Sequence, residues 1–245
     1  MKKIVIVMLF MLSCNFLQNI QSGDQPSGRS VEESPADGAI FTDIQPVLPS
    51  TAVAEDANTP TGILFQDDFS DPNSGWDHFA DADGSTDYQG GQYVIVVTAE
   101  SLDLFANPGS DYPGDIIIEV TAEKIGGVDD NNFGIICRYQ DTGNYYEFLI
   151  SSDGYFAIIK MTDRSGTFIG ADGWAESSVI HTGDAVNTIR VECVGNTLRL
   201  FANGALLLQA QDSTFSGGDV GLIAGTFDVP GTIIAFDDFV VYAVE

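Results

Sequence analysis

Residues 62–245 of this 245-residue chain predict an all-β fold, a two-sheet antiparallel β-sandwich or a barrel. Three observations carry the prediction. No window of this stretch sustains a helical hydrophobic period. Short runs rich in Ile, Val, Phe and Tyr alternate with turns of Gly, Asp and Asn. Several of those turns are residue pairs that tolerate positive φ, as tight hairpins require.

The chain opens on an export signature. Lys2 and Lys3 precede an apolar run, Ile4 to Leu12, that closes on Ser13 and Cys14. A positive n-region, a short apolar core and a small residue before the break describe a bacterial secretory signal. The run falls well short of the roughly 20 residues that span a bilayer. The stretch "MLSC" resembles a lipobox, which implies that Cys14 is lipidated and becomes the mature N-terminus. The protein is then expected to be exported and lipid-anchored on the outer face of a bacterial membrane; simple secretion is the alternative.

Residues 15–61 read as a disordered linker. They hold five of the nine prolines, many Ser, Thr, Asp and Ala, and no apolar period. Such a segment cannot bury enough surface to offset the entropy of ordering it. A flexible tether also gives an anchored domain reach from the membrane.

The body then follows strand by strand. In order, the runs are "GILFQDDF", "GGQYVIVVTA", "DIIIEVTAEKI", "NFGIICRYQ", "NYYEFLIS", "YFAIIKMT", "NTIRVECV", "NTLRLFA", "ALLLQAQ", "VGLIAGTF" and "TIIAFDDFVVYAV". Asp153-Gly154, Gly195-Asn196, Asn203-Gly204 and Thr142-Gly143 are the expected hairpin turns. Counting outward from them sets register. Around Thr142-Gly143, Arg138 faces Glu147 and Cys137 faces Phe148. Around Asp153-Gly154, Glu147 faces Lys160. Arg138, Glu147 and Lys160 therefore form a predicted charged row across three strands, close enough for opposite charges to pair. Around Gly195-Asn196, Glu192 faces Arg199 and Cys193 faces Leu198.

Cys137 and Cys193 fall on the opposite, apolar face. With Cys14 lipidated they are an even pair in an oxidising compartment. The residues leave a disulfide and two buried thiols both open, since bonding needs Cα atoms within about 7 Å.

Charge narrows the partners. The body carries six basic residues against 29 acidic ones, a net −23. A surface this acidic repels nucleic acid and anionic lipid or polysaccharide, and favours neutral or cationic ligands and divalent cations. Membrane contact is expected through the lipid anchor alone.

Taken together, "DDFSDPNSGW", "FGIICRYQDTGNYYEFLISSDGYFAIIK", "VECVGNTLRLFANGALL" and "DVGLIAGTF…AFDDFVVYAV" resemble a concanavalin A-like lectin/glucanase domain. The likeness extends to laminin G-like modules and the 3-keto-disaccharide hydrolase domain of bacterial exported proteins. It covers nearly all of 62–245 and implies a jelly-roll sandwich whose ligands lie on a concave face or on edge loops. The fold hosts lectins, glycosidases, lyases and adhesion modules, so it does not choose a function.

Laminarinase-type relatives carry Glu-x-Asp-x-x-Glu on one strand. The nearest stretch here, "EVTAE", offers Glu119 and Glu123 without the middle Asp. Four residues of strand separate these by about 13 Å, against about 5–5.5 Å in retaining glycosidases. His78 and His181 stand in loops without metal-ligand spacing, which argues against triad chemistry and a histidine-rich zinc site. Calcium is the cofactor to consider, as a structural ion: "DADGSTD" offers Asp81, Asp83 and Asp87. In sandwiches of this kind calcium often ties the opening and closing strands, which singles out Asp68 and Asp238.

Trp76 and Trp174 lie in Gly-containing segments, where a tryptophan stacks on a sugar ring or plugs the sandwich. Trp174 is the stronger ligand candidate; Trp76 is expected in the core. The resulting expectation is a non-catalytic glycan-binding module for a neutral or weakly charged polysaccharide. Arg138, Glu147 and Lys160 would orient hydroxyls, with Tyr145 and Trp174 supplying aromatic surface. A laminin G-like structural or protein-binding module and a glycoside-acting hydrolase are the alternatives.

Overall fold

A computed structural model describes residues 6–7, 57–112 and 114–244. The linker, Cys14 and most of the signal-like stretch lie outside the described residues. Among the described residues there are strands and no helix.

Seventeen strands follow in order: β1 (Ile6–Val7), β2 (Pro60–Asp67), β3 (Phe79–Ala80), β4 (Gly84–Gln89), β5 (Gln92–Val97) and β6 (Leu102–Ala106). Then come β7 (Ile116–Gly126), β8 (Asn131–Asp141), β9 (Asn144–Ile150), β10 (Tyr155–Thr162), β11 (Ser165–Phe168) and β12 (Ala175–Glu176). The last are β13 (Val186–Val194), β14 (Thr197–Ala202), β15 (Ala205–Gln211), β16 (Asp219–Thr226) and β17 (Thr232–Val244). The first sheet runs β1-β6-β16-β8-β9-β10-β11, with β12 also on β10. The second runs β15-β14-β13-β7-β17-β5-β4-β3, with β2 also on β17. Every strand pair is antiparallel.

The two inner faces form one core. Leu104, Leu222, Ile135, Phe148 and Ile158 from the first sheet pack with Ile95, Ile118, Val191, Leu200 and Phe236 from the second. Alternation along each strand dictates this, since a period of two sends every other side chain inward. Cys137 and Cys193 meet between the sheets as a disulfide, with Cα atoms 7.1 Å apart.

The hairpins at Gly195-Asn196 and Asn203-Gly204 are two-residue turns, and Glu192 lies opposite Arg199 as counted. Two other registers differ from the count. A bulge interrupts β8 between Cys137 and Asp141, so Cys137 faces Tyr146 and Glu147 faces Ile136. Arg138, at φ 55°, sits in that bulge. At the next turn Ser151 bonds Tyr155 across a loop one residue longer than expected, and Lys160 faces Tyr146 while Glu147 faces Ile159. A slip of one residue moves a side chain to the other face of a sheet. The predicted row of Arg138, Glu147 and Lys160 therefore does not exist.

Candidate functional site

The outer face of the first sheet is the unusual surface of this sandwich. Phe105, Ile136, Tyr145, Leu149, Ile159, Met161 and Ile223 form a second apolar cluster there, with Tyr139, Phe168 and Trp174 packed against it. Phe105, Tyr139 and Tyr145 make a triangle of rings with centroids 5.6–5.7 Å apart. Trp174 meets Phe168 at 6.2 Å and Phe227 at 5.7 Å. Both aromatic candidates, Tyr145 and Trp174, thus belong to this cluster.

Two carboxyl groups are set into the same face. Glu147 follows Tyr145 by two residues on β9, so alternation gives them one face. It is 1% exposed, and its Oε2 has no hydrogen-bond partner. Among the described residues, Tyr145 is the one hydroxyl bonded to its carboxyl. Asp103, 9% exposed, comes from β6. Its Oδ1 accepts a bond of 2.9 Å from Nδ2 of Asn132 on β8. Between those strands lies β16, where Gly225 is in register with both residues. A Cβ on Gly225 would fall 1.7 Å from Asp103 Oδ1 and 2.5 Å from Asn132 Nδ2. The missing side chain is what lets the carboxylate and the amide meet across an intervening strand. Asn132 Oδ1 is left without a partner.

Electrostatics follow from this burial. Loss of water pushes the Asp103 carboxyl up to about 6, against the opposing bond from Asn132. Burial, then the charge of Asp103, raises Glu147 well above the usual carboxylate range; the Tyr145 hydroxyl works the other way. Both shifts have the same sign and favour the protonated form of each carboxyl.

The other candidates lie elsewhere. Arg138 is 2% exposed and serves as a clamp at one end of the sandwich. Its Nε and Nη2 donate to Gly114 O at 3.3 and 2.9 Å, Nη2 also to Gly195 O at 2.9 Å, and Nη1 to Phe215 O at 2.9 Å. These bonds tie three loops together through one planar fork. Lys160 shares the inward face of Tyr146 and donates to Asp212 at 2.6 Å, where the Tyr146 hydroxyl also bonds at 2.5 Å. Burial alone would raise Asp212, but bonds from Lys160, Tyr146 and Thr214 outweigh it and hold that carboxyl well below its usual range. Neither cation shares a face with Glu147, which corrects the expected grouping.

Trp76 is a core residue, as expected: it packs edge-on against Phe239 at 4.9 Å, and its Nε1 donates to Asp67 at 3.0 Å. Glu119 pairs with Arg190 at 2.8 Å. Asp87 lies within β4, so the expected oxygen-rich loop "DADGSTD" is partly strand. Asp68 and Asp238 line one shallow pocket with Gln66, Asp67, Phe239 and Val240. They are the residues that could approach a cation there. Among the described residues, no group of three or more His, Cys, Asp or Glu is arranged to hold a metal ion.

Sequence reading missed Asp103 and Asn132. The stretch "LDLFA" alternates inward Leu102 and Leu104 with outward Asp103 and Phe105, so a strand signal was present. Its brevity hid it.

This two-sheet topology, with an aromatic cluster on the outer face of one sheet, can be set beside known structures. A Bacillus subtilis protein of unknown function with a galectin-like fold superposes with a TM-score of 0.56 at 13% identity, over 77% of this chain and all (100%) of that one. A Bacillus licheniformis β-glucanase gives 0.55 at 14%, over 76% and 100%. The catalytic domain of a Thermotoga petrophila endo-1,3-β-glucanase (laminarinase) gives 0.55 at 10%, over 77% and 100%. The described body shares their fold, a two-sheet antiparallel jelly-roll sandwich. No family model and no curated protein matches the chain. At these identities the likeness concerns the fold.

Proposed function

We propose that the domain binds a polysaccharide on the outer face of its first sheet and does not transform it. One observation carries the reading. Aromatic rings from Phe105, Tyr139, Tyr145 and Trp174 adjoin buried polar atoms, Glu147 Oε2 and Asn132 Oδ1, that have no partner among the described residues. A sugar ring shows C–H faces to aromatics and hydroxyls to such acceptors, so it satisfies both. Trp174 supplies stacking surface, and Tyr145 and Glu147 orient hydroxyls. The β-glucanase and the laminarinase share this fold, which makes glucans the first class to test. The same reading has the domain exported and tethered through Cys14, with the acidic surface keeping it off nucleic acid.

Affinity electrophoresis of the full chain against a panel of neutral polysaccharides tests this. Retardation that Trp174→Ala and Tyr145→Phe abolish supports the reading; retardation unchanged in both refutes the face. Export is tested by whether Cys14→Ser releases the protein from the membrane fraction.

A second reading is hydrolysis. Asp103 and Glu147 are two buried, interacting carboxyl groups, both raised above the usual carboxylate range, and a carboxyl pair of this kind can divide acid and base roles. Release of reducing ends from the bound polysaccharide, lost in Glu147→Gln, would replace binding by catalysis. Retardation by none of the panel would leave the protein-binding alternative.

A further inference from the structure

Carboxylates buried elsewhere in this protein are supplied with donors by the fold. Glu192, 0% exposed, is flanked by Arg190 at 2.8 Å and Arg199 at 3.3 Å, and Asn58 adds further bonds. Asp212 has Lys160. Asp67 receives the Trp76 indole, the Phe69 amide and the Ser74 hydroxyl. Asp219 receives the amides of Val220 and Gly109. The outer-face pair departs from this rule. Among the described residues, Asp103 has Asn132 alone, and Glu147 has Tyr145 alone. No ion pair of the described residues includes either.

The sign of what is missing is specific. A carboxylate can accept about four hydrogen bonds, and the unused atoms here, Glu147 Oε2 and Asn132 Oδ1, are acceptors or protonatable acceptors. Beside them stands the ring triangle of Phe105, Tyr139 and Tyr145, whose faces attract cations. The groups facing the two carboxyls are the hydroxyl of Tyr145 and the amide of Asn132. The net −23 of the body adds a long-range field of the same sign. An ammonium group brings a positive charge and donor hydrogens, which is what this set lacks.

We propose that Asp103 and Glu147 form an amine-recognising subsite, so that the preferred saccharide carries free amino groups, as 2-amino-2-deoxy sugars do. The proposal rests on the glycan-binding reading above and narrows its ligand class. The carboxyls ionise as the ammonium arrives, and the rings of Tyr139 and Tyr145 cover the rest of the cation. Tyr139, Phe168 and Trp174, all partly exposed, are the described residues packed against this cluster, and their rearrangement around the sugar opens the way to Glu147.

Titration calorimetry of the full chain near neutral pH tests it with three probes: a glucosamine oligosaccharide, the same oligosaccharide fully N-acetylated, and spermidine. The expected result is a preference of about tenfold or more for the free-amine oligosaccharide over the acetylated one, as one charge-assisted contact would give. Glu147→Gln and Asp103→Asn, which keep shape and remove charge, should each reduce that preference, read as the ratio of the two affinities, toward unity. Equal affinity for the two oligosaccharides, or a preference intact in both variants, overturns the subsite but leaves glycan binding standing. Binding of spermidine with neither oligosaccharide overturns both.

Discussion

Raising the pH of the ligand-free protein from about 4 to about 8 should destabilise it through Asp103, the reverse of ordinary acid denaturation. The folded-state carboxyl sits at about 6, against 3.8 for the free group. A carboxyl raised on folding holds its proton more tightly in the native state, so its stabilising effect is complete below the unfolded value. It is lost as pH rises through the folded one. The gap of about 2 pH units, at about 1.4 kcal/mol each, gives about 3 kcal/mol. Glu147, raised by burial and by the charge of Asp103, adds a loss of the same sign. Asp219, raised to about 6 mainly by burial, has that sign too, so the wild-type profile alone cannot isolate the pair. Asp103→Asn can. Urea denaturation of both proteins across this range should show nearly equal stability at about pH 4. By about pH 8 Asp103→Asn should be the more stable by about 3 kcal/mol. Asp212, held low, acts below this window and does not interfere. A difference that stays flat with pH, or a variant less stable at high pH, would refute the claim that this carboxyl is buried without compensation.

Three further outcomes follow from the packing. Arg138→Ala strands the carbonyls of Gly114, Gly195 and Phe215, and should cost about 3 kcal/mol or more in urea melts; Arg138→Lys, with no fork, should recover less than half. Gly225→Ala drives a methyl into the Asp103–Asn132 contact and should cost about 1–3 kcal/mol; adding Asp103→Ala should relieve most of it. Reducing Cys137–Cys193 frees a separation of 56 residues, worth about 4 kcal/mol of loop entropy. Thermal melts with and without reductant should differ by about 8–16 °C for a domain of this size, and two reactive thiols in the unreduced, denatured protein would contradict the bond.

The fold was readable because it rests on local rules. Alternation named the strands, and Gly195-Asn196 and Asn203-Gly204 set their hairpins to the residue, down to Glu192 opposite Arg199. The site was readable only in part. Tyr145, Glu147 and Trp174 were singled out and do share one cluster or face. The grouping with Arg138 and Lys160 failed because counting assumes an unbroken ladder. A bulge holding an arginine at φ 55° gives no signal of its own, since most residues there would be glycine. One bulge and one longer turn sufficed to turn Glu147 away from both cations. The Asp103–Asn132 contact was beyond local reading for another reason. It passes over Gly225, which joins β6 only through the sheet order, 122 residues further along the chain.

The account stands on Glu147, Tyr145 and Trp174 bounding one ligand face, and nuclear Overhauser contacts from a bound oligosaccharide test that most directly. Sugar protons should show contacts to the Trp174 indole and the Tyr145 ring, and none to Trp76 in the core. Contacts confined to the pocket of Asp68 and Asp238 on the second sheet, with the Trp174 and Tyr145 signals unmoved, would contradict it.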